Sequence, residues 1–423
     1  MDQPLNSRPI IGVLADEASK ESQATRGYSY IPACYVKFLE AAGARVVPVR
    51  LNLSEEEYTK IFNSINGFVL PGGNSNLLES PYSRAAGIMF NLALRANDAS
   101  DYFPVWGTCL GFEQLTVLTA KKHLLTLTDT HAVALPLNFT QRVLADEASK
   151  ESQATRGYSY IPACYVKYLE AAGARVVPVR LNLSEEEYTK IFNSINGFVL
   201  PGGSSDLLDS PYSRAAGIMF NLALRANDAS DYFPILGSCL GFEMLTVLTA
   251  KEHLLSLTDT MAVALPLDLT PMARSSRLFQ SFPKDVVRSL TEENICPHFH
   301  KWSLSAESFN GNSRLQEFYK VLSTNHDGKL EFISTIEAYQ YPIYGLQWHP
   351  EKTPFEWIDK PGMIHSTAAI RVSFYSGSFF VSEARKSTHR FPSQEEEERA
   401  LIYNYSPIFT GNGSIFMQIY YFD

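Results

Sequence analysis

Residues 13–139 run in register, without a gap, against residues 143–269, and only 13 of the 127 paired positions differ. A repeat this long and this faithful limits the fold more than any composition figure does. Solenoid units are roughly 20–50 residues long and drift between copies, so the chain is not a solenoid. It carries one half-domain twice, either duplicated within a gene or joined from two neighbouring gene copies. From about residue 270 the chain appears once only. Whatever the repeated half requires from the remainder, one copy alone can receive it.

The repeated unit alternates strand and helix. RPIIGVL is a short apolar strand and YIPACYVKFLEAAG a helix ending at Gly43; ARVVPVRL is again a strand. LSEEEYTKIFNSI starts with Ser54 as an N-cap and places acids in the first turn, which marks a helix N-terminus. GFVLPGG enters a Gly-rich loop, SPYSRAAGIMFNLALRAND has helical spacing of its apolar residues, and FPVWGT then LGFEQLTVLTA close the unit. Such alternation builds parallel βαβ units with helices on both faces of a sheet. The fold class expected is α/β, a three-layer α/β/α arrangement with a mostly parallel central sheet, plus a duplicated partial α/β unit. In the second copy TQRVLAD stands where the first has the buried Pro-Ile-Ile-Gly, so its opening strand is expected to be damaged. Beyond 270, KLEFISTIEAYQYPIYGLQWHPE reads as two strands around a YQYP turn, followed by a helix at about 367–386 and an acidic helix at SQEEEERALI.

Composition narrows the function. An apolar fraction of 45% supports a buried core, while a net charge of −9 without a Lys/Arg cluster argues against nucleic acid as a partner. No run of eighteen apolar residues occurs, so no membrane span is expected. Four of the five cysteines are two positions copied once, and no Cys/His spacing suggests a metal site. The segment MDQPLNSRPIIGV does not read as a signal peptide; five N-x-S/T sequons, at Asn52, Asn138, Asn182, Asn404 and Asn412, point weakly to a secretory route.

The chemistry gathers at two near-identical stretches, GTCLGFEQL (107–115) and GSCLGFEML (237–245). Each sets a cysteine between small residues, after an apolar strand and before a helix, as a nucleophile on a tight turn requires. A base is offered at one place: LQWHPE ends an apolar strand and delivers His349, with Glu351 two residues on, so that period-two alternation would set both on one face. The PGG turns at Gly72–Gly73 and Gly202–Gly203 could supply an oxyanion N–H, and His300 in FHKWS could meet a substrate group. The remaining histidines, His123, His253, His326, His365 and His389, read as surface positions, and Cys34, Cys164 and Cys296 as packing residues.

PGG, G[ST]CLGFE and QWHPE, in that order on an α/β pattern, resemble the class I glutamine amidotransferase-like hydrolases. Within them YIPACYVKYLEAAGARVVPVRL, FPILGSCLGFE, FHKWSL, STNHDGKLEFIST and YGLQWHPEK look like the gamma-glutamyl hydrolase family. The resemblance implies Cys239 as nucleophile, His349 as general base and acid and Glu351 as its orienting group. Tyr165, Glu243 and His300 match further active-site positions of the family, and Gly202, Gly203 and Leu240 are expected with them among the substrate-binding residues. The resemblance implies cleavage of gamma-glutamyl bonds in folate poly-gamma-glutamates through a thioester, with no cofactor and no metal, in a lysosomal or secreted, glycosylated homodimer.

Since a complete domain needs one front and one back half, contiguity favours 141–423 as the catalytic domain and 1–140 as a half-domain without a base. The rival pairs Cys109 of the first copy with residues 270–423; its extra loop costs only about 0.6 kcal/mol per doubling of length, while two buried isoleucines return roughly 1.5–3 kcal/mol each. Residues 8–14 completing the second copy's sheet, and an intrachain pseudo-dimer of the two copies, are further arrangements. A glutaminase and a non-catalytic folate-polyglutamate-binding protein are the competing functions.

Overall fold

The computed structural model describes residues 6–123, 125, 140–148, 156–411 and 414–423. The chain divides into two compact units, Met1–Pro136 and Leu137–Asp423. Among the described residues no helix is long and apolar enough to cross a membrane.

The second unit is organised by an eight-stranded sheet. Its order is Arg175–Val179, Thr140–Leu144, Phe198–Leu200, Ile235–Ser238, Ile343–Leu346, Glu331–Ala338, Tyr319–His326 and Asp268–Leu269. The first five strands are mutually parallel and the last three run antiparallel. Alternation along the strands sends side chains to opposite faces. Leu144, Phe198, Leu200 and Ile235 join one core with Tyr188, Met219, Phe242 and Leu245, contributed by helices Glu185–Phe192, Pro211–Asp228 and Leu240–Ala250. Val143, Val199 and Leu236, their neighbours in sequence, are buried too, and so face the other layer. There helices Ala163–Ala171 and Thr367–Ala384 pack together, with Tyr168 Oη donating to Ser376 Oγ at 3.0 Å. The result is the three-layer α/β/α architecture.

Local sequence explains where these helices begin. Ser184 caps Glu185–Phe192 through a reciprocal bond pair with Glu187, and Ser210 caps Pro211–Asp228, whose proline occupies the first turn where no N–H is needed. The C-terminal strand Gln418–Phe422 pairs with Ser159–Pro162 and thereby ties the chain end to the start of helix Ala163–Ala171.

The first unit has a four-stranded parallel sheet in the same order as its twin: Arg45–Val49, Ile10–Leu14, Gly67–Leu70, Val105–Gly107. Among the described residues the sheet stops there, leaving Val105–Gly107 as an edge. Its twin Ile235–Ser238 is paired on that side by Ile343–Leu346. The difference shows in the side chains: Phe38, Trp106 and Phe112 are 62%, 62% and 60% exposed, whereas Tyr168, Leu236 and Phe242 at the equivalent positions are 4%, 5% and 0%.

Two expectations are corrected. The second copy's opening strand is not lost: Thr140–Leu144 pairs with Arg175–Val179 from Thr140↔Arg175, the register that Ile10↔Arg45 sets in the first unit. Ladder hydrogen bonds come from the backbone, so replacing Ile-Ile-Gly leaves them available, and Val143 and Leu144 still fill both faces. Residues 10–14 accordingly remain in their own sheet and add nothing to the second.

Candidate active site

Strand Ile235–Ser238 runs into helix Leu240–Ala250 with Cys239 at the junction, at φ 52° and ψ −108°. A non-glycine residue there is strained by about 1–3 kcal/mol, and the turn holds because the helix lies hard against the sheet. A β-carbon on Gly241 would stand 2.0 Å from the Leu200 carbonyl oxygen, so only glycine allows the approach. The Cys239 N–H donates to the Leu346 carbonyl at 2.8 Å, fixing the elbow to the strand that leads to His349.

His349 and Glu351 follow that strand in a turn, with Glu351 in helical conformation at the start of helix Lys352–Phe355. Strand alternation is therefore not what unites them, as the sequence suggested; the strand-to-helix turn does. His349 Nδ1 meets Glu351 Oε1 at 2.6 Å, and both side chains are buried. His349 Nε2 is buried and has no hydrogen-bond partner among the described residues. A β-carbon on Gly202 would lie 2.9 Å from His349 Cε1 and 3.2 Å from Cys239 Cβ, so base and thiol close on the same glycine.

Electrostatics assigns resting states. Burial pushes the Cys239 thiol up, Glu243 adds to this and the Lys352 ammonium opposes it, so the resting sulfur carries its proton. Burial likewise pushes His349 down, leaving a neutral imidazole. For Glu351 burial acts upward, but His349 and Lys352 overturn it and hold the carboxyl low. With Glu351 ionised, Nδ1 is the donor and Nε2 presents a lone pair. Glu243, one helical turn beyond Cys239, is pushed up to about 8 by burial and accepts from Gln347 Nε2 at 3.1 Å.

The other expected residues fall into place unevenly. Leu240, at the first helical position after Cys239, acts through its backbone N–H against the rise that burial causes in the thiol. Gly202 donates its N–H to Tyr165 Oη at 2.7 Å. Gly203 belongs elsewhere: a β-carbon there would meet the Asp146 carboxylate at 1.9 Å, and Asp146 binds Ser204 N–H, Ser205 and Tyr160. His300 is buried and pushed down to about 3 by that burial; its Nε2 lies 2.9 Å from His298 Nδ1 and its Nδ1 lies 3.0 Å from the Trp302 carbonyl. Cys109 has the same strained elbow, φ 54° and ψ −119°, but is exposed. Within the second unit the structure brings His349 and Glu351 to Cys239.

Several bland readings change. His365 is buried, stacked on Trp357 and bonded to the Thr353 carbonyl, and His389 is half-buried between the Phe192 carbonyl and Asp231. Cys34 is exposed, because the layer that covers its twin Cys164 comes from residues beyond 270. Two residues escaped sequence reasoning. Lys352 is fully buried with no hydrogen-bond partner at Nζ among the described residues, held over the rings of Phe416 at 4.0 Å and Phe299 at 5.5 Å; a lysine directly after His-Pro-Glu was its signal. Ser238 read only as a small flanking residue. Of the sequons, Asn52, Asn182 and Asn404 are exposed, and Asn138 and Asn412 lie outside the described residues.

Fold and site together define a three-layer α/β/α protein with a cysteine elbow beside a buried histidine–glutamate pair. Solved structures similar to the chain include the glutaminase domain of Trypanosoma brucei CTPS with bound acivicin (13% identity, TM-score 0.40, 61% of this chain and 98% of that one). A glutamine amidotransferase from Thermotoga maritima gives 14% identity and TM-score 0.35 over 59% and 99%. Sequence comparison resolves the class further: the chain belongs to the peptidase C26 family, whose sequence model matches residues 9–123 and 142–351. Gamma-glutamyl hydrolase of Homo sapiens is 52% identical over 281 residues, 66% of this chain and 88% of the relative. Gamma-glutamyl hydrolase of Mus musculus is 52% identical over 63% and 84%, and gamma-glutamyl hydrolase 1 of Arabidopsis thaliana 36% identical over 60% and 72%.

Proposed function

We propose that the chain is a cysteine hydrolase that cleaves the gamma-glutamyl bonds of folate poly-gamma-glutamates, with Cys239, His349 and Glu351 as its catalytic set. The observation that carries this is the convergence of a cysteine on a strained elbow and a buried imidazole upon Gly202, the imidazole bound to Glu351 at 2.6 Å with its other nitrogen unpartnered among the described residues. The family relatives named gamma-glutamyl hydrolase support the substrate class.

In this mechanism His349 Nε2 takes the thiol proton as sulfur attacks the amide carbonyl, so the buried thiolate forms only as it is consumed. The oxyanion is met by the Leu240 N–H. The imidazolium, steadied by Glu351, then protonates the leaving amine and a thioester remains. Water attacks the thioester, its proton passing to His349, and the released thiol recovers a proton from the imidazolium. Glu243, held protonated by burial, and His300 line the same interior as positioning groups for the gamma-glutamyl substrate.

In this reading residues 141–423 form the complete catalytic domain and residues 1–140 a half-domain whose Cys109 has no base. The exposed sequons and the resemblance support a lysosomal or secreted glycoprotein. The test is turnover of pteroyl-penta-gamma-glutamate by the full chain, Cys239→Ala and Cys109→Ala, with glutamine as a parallel substrate. Loss of polyglutamate cleavage in Cys239→Ala alone is expected. Loss in Cys109→Ala alone would overturn the assignment, and cleavage of glutamine alone would favour a glutaminase.

A further inference from the structure

We propose that Ser238, together with Tyr165, is a positioning residue for the catalytic carboxylate: their hydroxyls form a buried chain from the Gly202 backbone N–H to the second oxygen of Glu351. The inference rests on the reading of Cys239, His349 and Glu351 as the catalytic set. Ser238 Oγ lies 3.3 Å from Glu351 Oε2, Tyr165 Oη lies 3.2 Å from Ser238 Oγ, and Gly202 N lies 2.7 Å from Tyr165 Oη. All of these side chains are buried.

The direction of the chain follows from its end. An ionised carboxylate only accepts, so Ser238 donates its one proton to Glu351. What remains on Ser238 is lone pairs, so Tyr165 donates to Ser238 and accepts from Gly202. Each group has one role, and buried networks filled in this way are rigid.

Two consequences follow. Glu351 is gripped at both oxygens, Oε1 by His349 and Oε2 by Ser238. The terminal torsion of a glutamate is broad; a grip at both oxygens fixes it, and with it the plane and tautomer of His349. In addition, the Gly202 N–H already has its acceptor, so this glycine anchors the chain rather than serving as a free oxyanion donor.

The first unit supplies an internal comparison. There Gly72 N–H donates to Tyr35 Oη at 2.8 Å, the same clamp. Thr108, the counterpart of Ser238, instead accepts from Trp106 Nε1 at 3.1 Å. The front half alone thus builds the tyrosine–glycine clamp, and the serine link forms in the unit where residues beyond 270 deliver a carboxylate.

The experiment measures kcat and KM on pteroyl-penta-gamma-glutamate with the full chain carrying Ser238→Ala, Ser238→Thr, Tyr165→Phe or Tyr165→Phe with Ser238→Ala, and Cys239→Ala as reference. Ser238→Ala and Tyr165→Phe should each lower kcat about tenfold, the scale of losing an orienting partner, with KM within about twofold of wild type. Ser238→Thr keeps the hydroxyl and should recover wild-type kcat. The double variant should fall no further than the weaker single one, because links in series fail together. Wild-type kcat in Ser238→Ala, a Thr variant as impaired as the Ala variant, or losses that multiply in the double variant would each overturn the proposal. If Cys239→Ala itself retains turnover, the catalytic reading fails; if it is dead while Ser238→Ala is fully active, only the chain fails.

Discussion

Glu243 shows at the scale of one residue how the site is held at the cost of pH tolerance. It sits one turn beyond the nucleophile, fully desolvated, with a single bond from Gln347 Nε2 to compensate. Pushed up to about 8 by burial, its carboxyl keeps a proton in the folded state that the unfolded chain, near its ordinary 4.5, has already released. The folded state therefore binds more protons than the unfolded state between those values. Stability contributed by this group is complete below about pH 4.5 and is lost as pH rises toward 8. The ceiling on that loss is about 5 kcal/mol. Glu243→Gln keeps the shape and removes the titration, so its urea midpoint should stay level between pH 5 and 8 where the wild type declines. Parallel declines in both proteins would assign the pH dependence to other groups.

At the scale of the element, the strand–elbow–helix turn is the feature the sequence revealed most directly. A cysteine flanked by Gly237 and Gly241 after an apolar strand has few other uses, and the contact of Gly241 with the Leu200 carbonyl gives the reason. Gly241→Ala should destabilise the second unit by more than about 3 kcal/mol, beyond ordinary overpacking, and abolish turnover. Gly111 has the same 2.0 Å conflict with the Leu70 carbonyl in the first unit. Gly111→Ala should therefore lower that unit's denaturation midpoint and leave turnover unchanged; lost activity in this variant would give the first elbow a catalytic part. The sequence was less informative wherever the backbone or a distant element decides. TQRVL contains little to bury, yet it forms an interior strand because Arg175–Val179 pairs with its whole length and Phe198–Leu200 pairs with it on the other side. His349 and Glu351 meet through a turn where alternation along a strand was expected. Ser238 and Lys352 gain meaning only from partners 113 and 64 residues away, Glu351 and Phe416, and such separations leave no periodic trace.

Across the whole molecule, near-identical sequence meets two different amounts of cover. The second unit pairs its fourth parallel strand with Ile343–Leu346 and buries helix Ala163–Ala171 under Thr367–Ala384. Among the described residues the first has neither, and helix Ala33–Ala41 has no buried residue, while the equivalent helix buries six. Each large side chain taken fully out of water stabilises by roughly 1.5–3 kcal/mol, so Phe38, Trp106 and Phe112 forgo several kcal/mol that Tyr168, Leu236 and Phe242 gain. Unfolding should then occur in two steps, the first unit melting at lower denaturant, and a single free energy of unfolding will not describe the chain. The tryptophans separate the steps: Trp106 is exposed and belongs to the first unit, whereas Trp302, Trp348 and Trp357 belong to the second, Trp348 with 1% exposure. Far-ultraviolet circular dichroism reports both units and tryptophan emission chiefly the second, so the dichroism curve should begin to fall at lower urea than the emission shift. Turnover should track the emission curve. Coincident curves would mean that the bare front half is as stable as the covered one, and that the edge at Val105–Gly107 is closed by a partner in solution.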